Sequence, residues 1–152
     1  MKKIISLILG IILLTACGKV EEFTLKYQDK ELFLNRVFTK ESYGEYKDFF
    51  ESENCAFGDK DITYIYDDLE IETYGNKNGD LIVYSIYFTG ENVKTNEGIS
   101  LYDEMNDAIE VYGNNYKQEG NKYTYTKGNT DLIFVTDNNI INSIEYRLNN
   151  LK

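Results

Sequence analysis

Apolar side chains alternate with polar ones along most of the chain after residue 22, the pattern of strands with one buried face. Two short alternating stretches, 23–27 and 31–34, flank a polar turn and predict a hairpin. Longer stretches follow at Asp61–Tyr66, Leu69–Tyr74 and Leu81–Phe88. These predict a three-stranded antiparallel meander.

One stretch has helical spacing instead. Asp103 is a suitable N-cap and Gly113 a suitable left-handed stop. Between them, one helical face collects the apolar residues Met105, Ala108, Ile109 and Tyr112. Strands return over 122–126, 131–136 and 140–148, and Asn138-Asn139 predicts a tight turn between the last two.

The stretches before and after the middle of the chain look like the same unit twice. Tyr43-Gly44 corresponds to Tyr112-Gly113, Tyr64-Ile65-Tyr66 to Tyr123-Thr124-Tyr125, and Ser85–Phe88 to Ser143–Tyr146. We therefore predict a single α+β domain over 23–152, made of two tandem repeats at about 35–88 and 99–148. Each repeat would be a helix plus an antiparallel three- or four-stranded meander, with the helices on one face of the sheet. The alternative is chance alternation in a β-rich chain.

The first sixteen residues have the order of a signal peptide. Lys2 and Lys3 precede an eleven-residue, mostly apolar run, Ile4–Leu14, which is too short to cross about 30 Å of hydrocarbon as a helix. Leu14-Thr15-Ala16-Cys17 resembles the lipobox of bacterial lipoproteins. That resemblance implies a diacylglyceryl group on Cys17 and a lipidated tether at 17–22. The alternatives are an ordinary secretory signal with an incidental cysteine, or a buried core helix.

The lipobox resemblance implies that the protein is anchored on the outer face of the plasma membrane. Heavy use of Lys, Asn, Ile and Tyr with no proline is typical of an AT-rich genome and favours a low-GC Gram-positive source. Without residues 1–16 the chain keeps 14 basic and 26 acidic side chains, a formal charge of −12. Repulsion from anionic lipid would hold such a domain off the membrane surface.

Several motifs of the mature chain together resemble uncharacterised extracytoplasmic lipoproteins of clostridia and their relatives: Thr95-x-Glu97-Gly98-Ile99-Ser100, Tyr112-Gly113 and Ser143-Ile144-Glu145-Tyr146. The predicted repeat is also similar to that of the β-lactamase inhibitor protein and of the small lipoprotein in the outer-membrane β-barrel assembly machinery. The resemblance implies short helices over one sheet face and a protein partner on the open face or the loop tips. Tyr102 stands where those folds commonly have a glycine at the start of the helix.

Composition excludes several kinds of function. The chain has no histidine, which excludes histidine-based triads, zinc sites with imidazole ligands and haem ligation by imidazole. A formal net charge of −10 argues against a nucleic-acid partner. If Cys17 carries lipid, Cys55 has no disulfide partner. Its neighbours favour a small buried side chain over a reactive thiol.

The strand period predicts a binding face. In the predicted strand Leu81–Phe88, the even-numbered residues are expected to face the helices: Ile82, Tyr84, Ile86 and Phe88. Ile140, Ile144 and Tyr146 would do the same in the last strand. The odd-numbered residues of Leu81–Phe88 then face the other way. We predict a protein-binding face formed by Ile65, Glu70, Glu72, Tyr74, Val83, Tyr87 and Arg147. Tyrosine suits such a face because it gives a large contact area with a polar tip. The alternative is a set of ordinary cross-strand pairs on a solvated sheet face.

The favoured prediction is a membrane-anchored, non-catalytic protein-binding module, with no cofactor beyond the lipid on Cys17. A wall or polysaccharide hydrolase is the first alternative, because residues 59–72 are rich in Asp and Glu, but it needs two carboxylates across a cleft with divergent pKa values. A small solute-binding lipoprotein is the second. Calcium at Asp59-x-Asp61 or Asp67-Asp68 is a further possibility, since carboxylates suit a hard cation.

Overall fold

The computed structural model describes residues 21–53 and 60–150. Cys17, the signal peptide and Cys55 lie outside the described residues, so the expectations for them stay predictions. No helix in the described part of the chain is long and apolar enough to cross a membrane.

Ten strands and two helices follow one another in the described residues. The two helices are α1 (Lys40–Tyr43) and α2 (Met105–Tyr112). The strands before α2 are β1 (Thr24–Tyr27), β2 (Lys30–Phe33), β3 (Asp48–Glu53), β4 (Lys60–Ile65), β5 (Leu69–Gly75) and β6 (Leu81–Phe88). The strands after it are β7 (Lys117–Glu119), β8 (Lys122–Lys127), β9 (Thr130–Asp137) and β10 (Ile140–Leu148).

Eight of the strands form one antiparallel sheet in the order β3-β4-β5-β6-β10-β9-β8-β7, and β1 pairs with β2 in a separate hairpin. The two halves of the large sheet join where β6 pairs with β10, with Tyr87 opposite Glu145. The first half of β6 pairs elsewhere. Asn35 N donates to Val83 O at 2.8 Å, and Val83 N donates to Arg36 O at 2.9 Å.

The predicted α+β fold of two tandem helix-plus-meander repeats is wrong. The structure is mostly β, with 50% strand and 10% helix, and its eight-stranded sheet is continuous. The four-residue α1 and the eight-residue α2 are too short to form a helical layer. A meander ending at β6 would leave an unpaired strand edge, and β10 satisfies that edge by pairing with β6. The correspondence between the two sequence stretches itself stays a prediction.

The core lies between one face of the large sheet and a cover that includes the β1–β2 hairpin and α2. The predicted hairpin is confirmed, and Leu25 pairs with Leu32 in a fully buried position. The Phe23 ring of the hairpin lies 6.3 Å from the Tyr146 ring of β10. Met105 and Ala108 contribute the buried face of α2. Neither the hairpin nor α2 therefore packs against the other face of the large sheet.

The ends of α2 confirm one prediction and correct another. Gly113 ends the helix at φ 80°, in the left-handed region, as expected. Asp103 is not the N-cap. Its carboxylate accepts hydrogen bonds from Ser100 N at 2.8 Å and Ser100 Oγ at 3.1 Å, and Glu104 occupies the cap position without a side-chain bond to the helix. The predicted turn at Asn138-Asn139 is confirmed, with φ values of 49° and 70°.

Two buried tyrosines of the core differ in the surroundings of their hydroxyl groups. Tyr43 Oη donates to Phe33 O at 2.7 Å. Tyr66 Oη is buried and has no hydrogen-bond partner among the residues that the structure describes. A buried hydroxyl without a partner has lost its hydrogen bonds to water and has gained none within the protein, so it destabilises the fold.

Tyr66→Phe is therefore expected to raise the free energy of unfolding by about 1 kcal/mol, whereas Tyr43→Phe lowers it by about 1 kcal/mol. Urea denaturation of both variants measures the difference, provided that the m value is unchanged. Each variant is the control of the other, since both remove one oxygen from a buried ring. Equal losses in the two variants would contradict this account of Tyr66.

Candidate functional site

The side of the large sheet that faces away from the hairpin and α2 is called here the helix-free face. The register of strands β4, β5, β6, β10 and β9 defines it by two rows across the sheet. The first row is Ile65, Glu70, Tyr87, Glu145 and Ile133, and the second is Thr63, Glu72, Ser85, Arg147 and Asp131. The row between them, which includes Ile71, Ile86 and Tyr146, points into the core.

A β-bulge changes which residues of β6 belong to this face. Thr73 pairs with Val83, but Glu72 pairs with Ser85, so Tyr84 is an extra residue on β6. Val83 points into the core with 0% exposure. β10 has a second register shift, between Ile141 and Ser143, and Ile141 is likewise fully buried.

The bulge overturns one predicted site residue. Val83 was expected on the open face and is instead part of the core, because the extra residue reverses the alternation on one side of it. Tyr84, expected to face the helices, lies beside Glu72 of the helix-free face. Ile140, also expected to face inward, is 38% exposed.

The other six predicted residues are brought together. Ile65, Glu70, Glu72, Tyr87 and Arg147 belong to the two rows, and Tyr74 lies on the same side of β5, opposite Asp61 of β4. The prediction missed Tyr84, Ser85 and Asp131, which also lie here. Strand period places the odd-numbered Ser85 on this face with Tyr87, whereas Tyr84 lies here because of the bulge, which has no reliable signal in one sequence.

The centre of the helix-free face is a hydrogen-bonded group of three side chains, called here the Glu145 network. Ser85 Oγ donates to Glu145 Oε1 at 3.0 Å, and Arg147 Nε lies 2.6 Å from the same oxygen. The Glu145 side chain is 13% exposed and the Arg147 side chain 47%. The carboxylate is therefore fixed in place, whereas its guanidinium partner remains in contact with solvent.

Burial raises the pKa of the Glu145 carboxyl above its ordinary value, and the neighbouring Glu72 charge raises this pKa further. The Arg147 charge and the Ser85 hydrogen bond oppose that effect. Burial is the larger influence because the network occupies the middle of the sheet, where strands on both sides exclude water.

Tyrosines line one end of the network. The Tyr74 and Tyr84 rings lie 6.1 Å apart. Burial raises the pKa of Tyr84, and the charge of Glu72 and its hydrogen bond with Tyr84 raise it further. Tyr74 also lines a pocket of about 270 Å³ with Asn35, Asn129, Leu148 and Asn150. This end of the face therefore combines aromatic rings, a carboxylate and a side-chain-sized recess.

The candidate calcium positions have other partners. Asp67 forms an ion pair with Lys47, and Asp68 Oδ1 accepts a hydrogen bond from Asn92 Nδ2 at 3.2 Å. Asp59 lies outside the described residues. Within 21–53 and 60–150 there is no group of three or more Cys, Asp or Glu side chains arranged to hold a metal ion. The hydrolase and solute-binding alternatives stay predictions.

Comparison of the chain with protein-family models, curated proteins and solved structures gave no significant match.

Proposed function

We propose that the protein is a lipid-anchored component of the cell envelope that binds a protein partner through the helix-free face. One observation carries the proposal. Six of the seven side chains that the sequence predicts for a binding face come from four different strands and lie on a single face around the Glu145 network. Tyrosine and arginine are among the residues that are enriched where a few side chains dominate the binding energy of an interface.

The charge of the helix-free face indicates the chemistry of the partner. In strands β4, β5, β6, β9 and β10 the face presents one basic side chain, Arg147. Against it stand six acidic ones: Asp61, Glu70, Glu72, Asp131, Asp137 and Glu145. A partner surface rich in lysine or arginine complements this set. Electrostatic complementarity of this kind speeds association and suppresses binding of other acidic surfaces.

Preorganisation supports a binding role. Glu145 is held by Ser85 and Arg147, and Tyr84 is held by Glu72. Side chains fixed before binding lose less conformational entropy in the complex than mobile ones. The proposal assigns the face a binding role and no catalytic step. The anchor rests on the lipobox, with the lipid on Cys17.

Affinity capture from solubilised envelopes of the source cell tests the proposal, with the full chain carrying a tag. The double variant Glu70→Lys/Glu72→Lys and the single variant Tyr74→Ala are each expected to weaken partner recovery by about tenfold or more, as loss of an interface hot spot does. Cys17→Ala is expected to release the protein from the membrane fraction without changing the affinity of the purified domain.

The matched control is Asp29→Lys/Glu91→Lys. These two exposed acidic residues lie in the hairpin turn and in the loop after β6, outside the helix-free face, and the double variant changes the net charge by the same amount. Unaltered recovery with the helix-free variants would contradict the proposal. So would an equal loss with the control, because the effect would then depend on net charge alone.

A further inference from the structure

Tyr102 has a backbone conformation that bulky residues rarely adopt. Its φ is 73°, in the left-handed region where the Cβ atom of a non-glycine residue is crowded. The other non-glycine residues at positive φ in the described chain are Gln28, Asn35, Asn138 and Asn139. Three of these are asparagines, whose short polar side chain tolerates this region. Tyr102 alone places an aromatic side chain there.

Backbone pairing holds Tyr102 in this conformation. Tyr102 N donates to Ile141 O at 2.8 Å, and Ile141 N donates to Asp103 O at 2.9 Å. These bonds need the backbone and not the tyrosine ring. A glycine or an asparagine would make the same bonds with less strain, so the fold gives no reason for an aromatic residue at this position.

Burial of the Tyr102 ring does not offset the backbone strain. Tyr102 is 64% exposed, the largest exposed fraction among the large hydrophobic residues of the described chain. Ile140, 38% exposed, lies on the strand that pairs with this segment, through a bridge to Glu104. Two large exposed apolar side chains thus lie on neighbouring paired segments at the start of β10. We call them the Tyr102 patch.

The two chain segments that form the patch carry charge of one sign. Glu104 and Asp137 both pair with Ile140 through the backbone, Asp103 follows Tyr102, and Asp107 lies in the first turn of α2. The sequence has no lysine or arginine between residues 95 and 116, or between 128 and 146. An apolar pair bordered by carboxylates complements a surface with an apolar recess and a border of basic side chains.

We propose that the Tyr102 patch is a second contact surface, which inserts the Tyr102 ring into an apolar recess bordered by lysine or arginine on a protein partner. The strain at Tyr102 is retained because the ring gains its contacts only in the complex. Stability given up at a binding residue is a known cost of function. The Tyr102 patch lies at the end of β9 and β10, beyond the two rows that define the helix-free face, and the two surfaces are tested separately.

The first experiment places the photo-crosslinking residue p-benzoylphenylalanine at position 102, 140 or 49 of the full chain in the source cell, and the crosslinked peptides are sequenced. Positions 102 and 140 are expected to crosslink to one protein segment with a net positive charge. Position 49 is the control, because Phe49 is 47% exposed but lies on β3, opposite Tyr64 and outside the helix-free face. Crosslinks to a second copy of this chain, or the same crosslinks from position 49, would overturn the proposal.

The second experiment measures stability and affinity in the same variants, using that crosslinked segment as a synthetic peptide. Tyr102→Gly is expected to raise Tm by about 2–5 °C, because glycine relieves the strain, and to weaken peptide binding about tenfold or more. Tyr102→Asn keeps the left-handed backbone without the ring and is expected to lose affinity to the same extent.

Two results would overturn the proposal: wild-type affinity in both variants, or a lower Tm in Tyr102→Gly. Reduced partner capture with the helix-free variants, together with full peptide binding in both Tyr102 variants, would reject this surface and leave the proposed function standing. Reduced peptide binding in the Tyr102 variants, together with unaltered partner capture by the helix-free variants, would reject the helix-free face and keep the Tyr102 patch.

Discussion

Val83→Lys is expected to prevent folding of the protein. Val83 is 0% exposed and packs in the core, so a lysine there would have to bury its charge or break the sheet. The cost is more than about 4 kcal/mol, comparable with the roughly 5–15 kcal/mol that stabilises a typical domain. Circular dichroism and urea denaturation of the purified chain measure the loss.

Tyr87→Lys is the matched control, on the same strand and with the same new side chain. Tyr87 lies on the helix-free face between Glu70 and Glu145, where a lysine meets opposite charges and solvent. The variant is expected to remain folded, with a free energy of unfolding within about 1 kcal/mol of the original. Unbroken alternation along β6 would make both substitutions tolerable. A folded, stable Val83→Lys protein would therefore contradict the bulge.

Raising the pH above about 10 is expected to unfold the protein cooperatively, because tyrosines of the core resist ionisation. Burial raises the pKa of Tyr43 to about 12 from its ordinary 10.0, and it raises the pKa of Tyr66 and of Tyr146 as well. The unfolded chain loses these protons first. The contribution of these protonated tyrosines to the free energy of unfolding is therefore complete below about pH 10, and it is lost as the pH rises towards their folded-state pKa values.

The size of the alkaline effect follows from the same linkage. For Tyr43, which is 2% exposed, the raised pKa corresponds to about 2 to 3 kcal/mol lost by pH 12. Tyr66 and Tyr146 add losses of the same sign, so together they approach the stability of a typical domain.

Parallel titrations by circular dichroism and by tyrosinate absorbance test the alkaline prediction. The late-ionising tyrosines are expected to titrate together with the loss of structure. Tyr66→Phe is expected to move the transition to higher pH, because it removes one of these protons without removing a hydrogen bond. Full tyrosine ionisation with native circular dichroism would contradict the assignment of these rings to the core.

Local patterns predicted most of the elements correctly. The 61–66, 69–74 and 81–88 stretches correspond closely to β4, β5 and β6, and the hairpin and the Asn138-Asn139 turn are also present. Side-chain alternation and turn chemistry are properties of a few consecutive residues, so they can be read without the fold. β3 was missed, since Asp48–Glu53 places two phenylalanines in succession and acquires its strand character by pairing with β4.

The candidate face was predictable in outline and not in detail. Six of its residues follow from strand period, because they lie on unbroken stretches of β4, β5, β6 and β10. Val83 does not, since the register against β5 shifts between Glu72 and Thr73. Asp103 is a similar case. Aspartate is a suitable N-cap residue, but the backbone N–H and the hydroxyl of Ser100 donate hydrogen bonds to the Asp103 carboxylate.

By itself the sequence determined most of the strands, the acidic charge and the absence of histidine chemistry, and it predicts a lipid on Cys17. Only the tertiary structure decided that eight strands form one continuous sheet and that Val83 points into the core. It also decided that Tyr102 holds its ring in solvent at positive φ. The physical reason is that strand formation follows from neighbours in the chain, whereas register, bulges and strain arise from pairing between residues far apart in it.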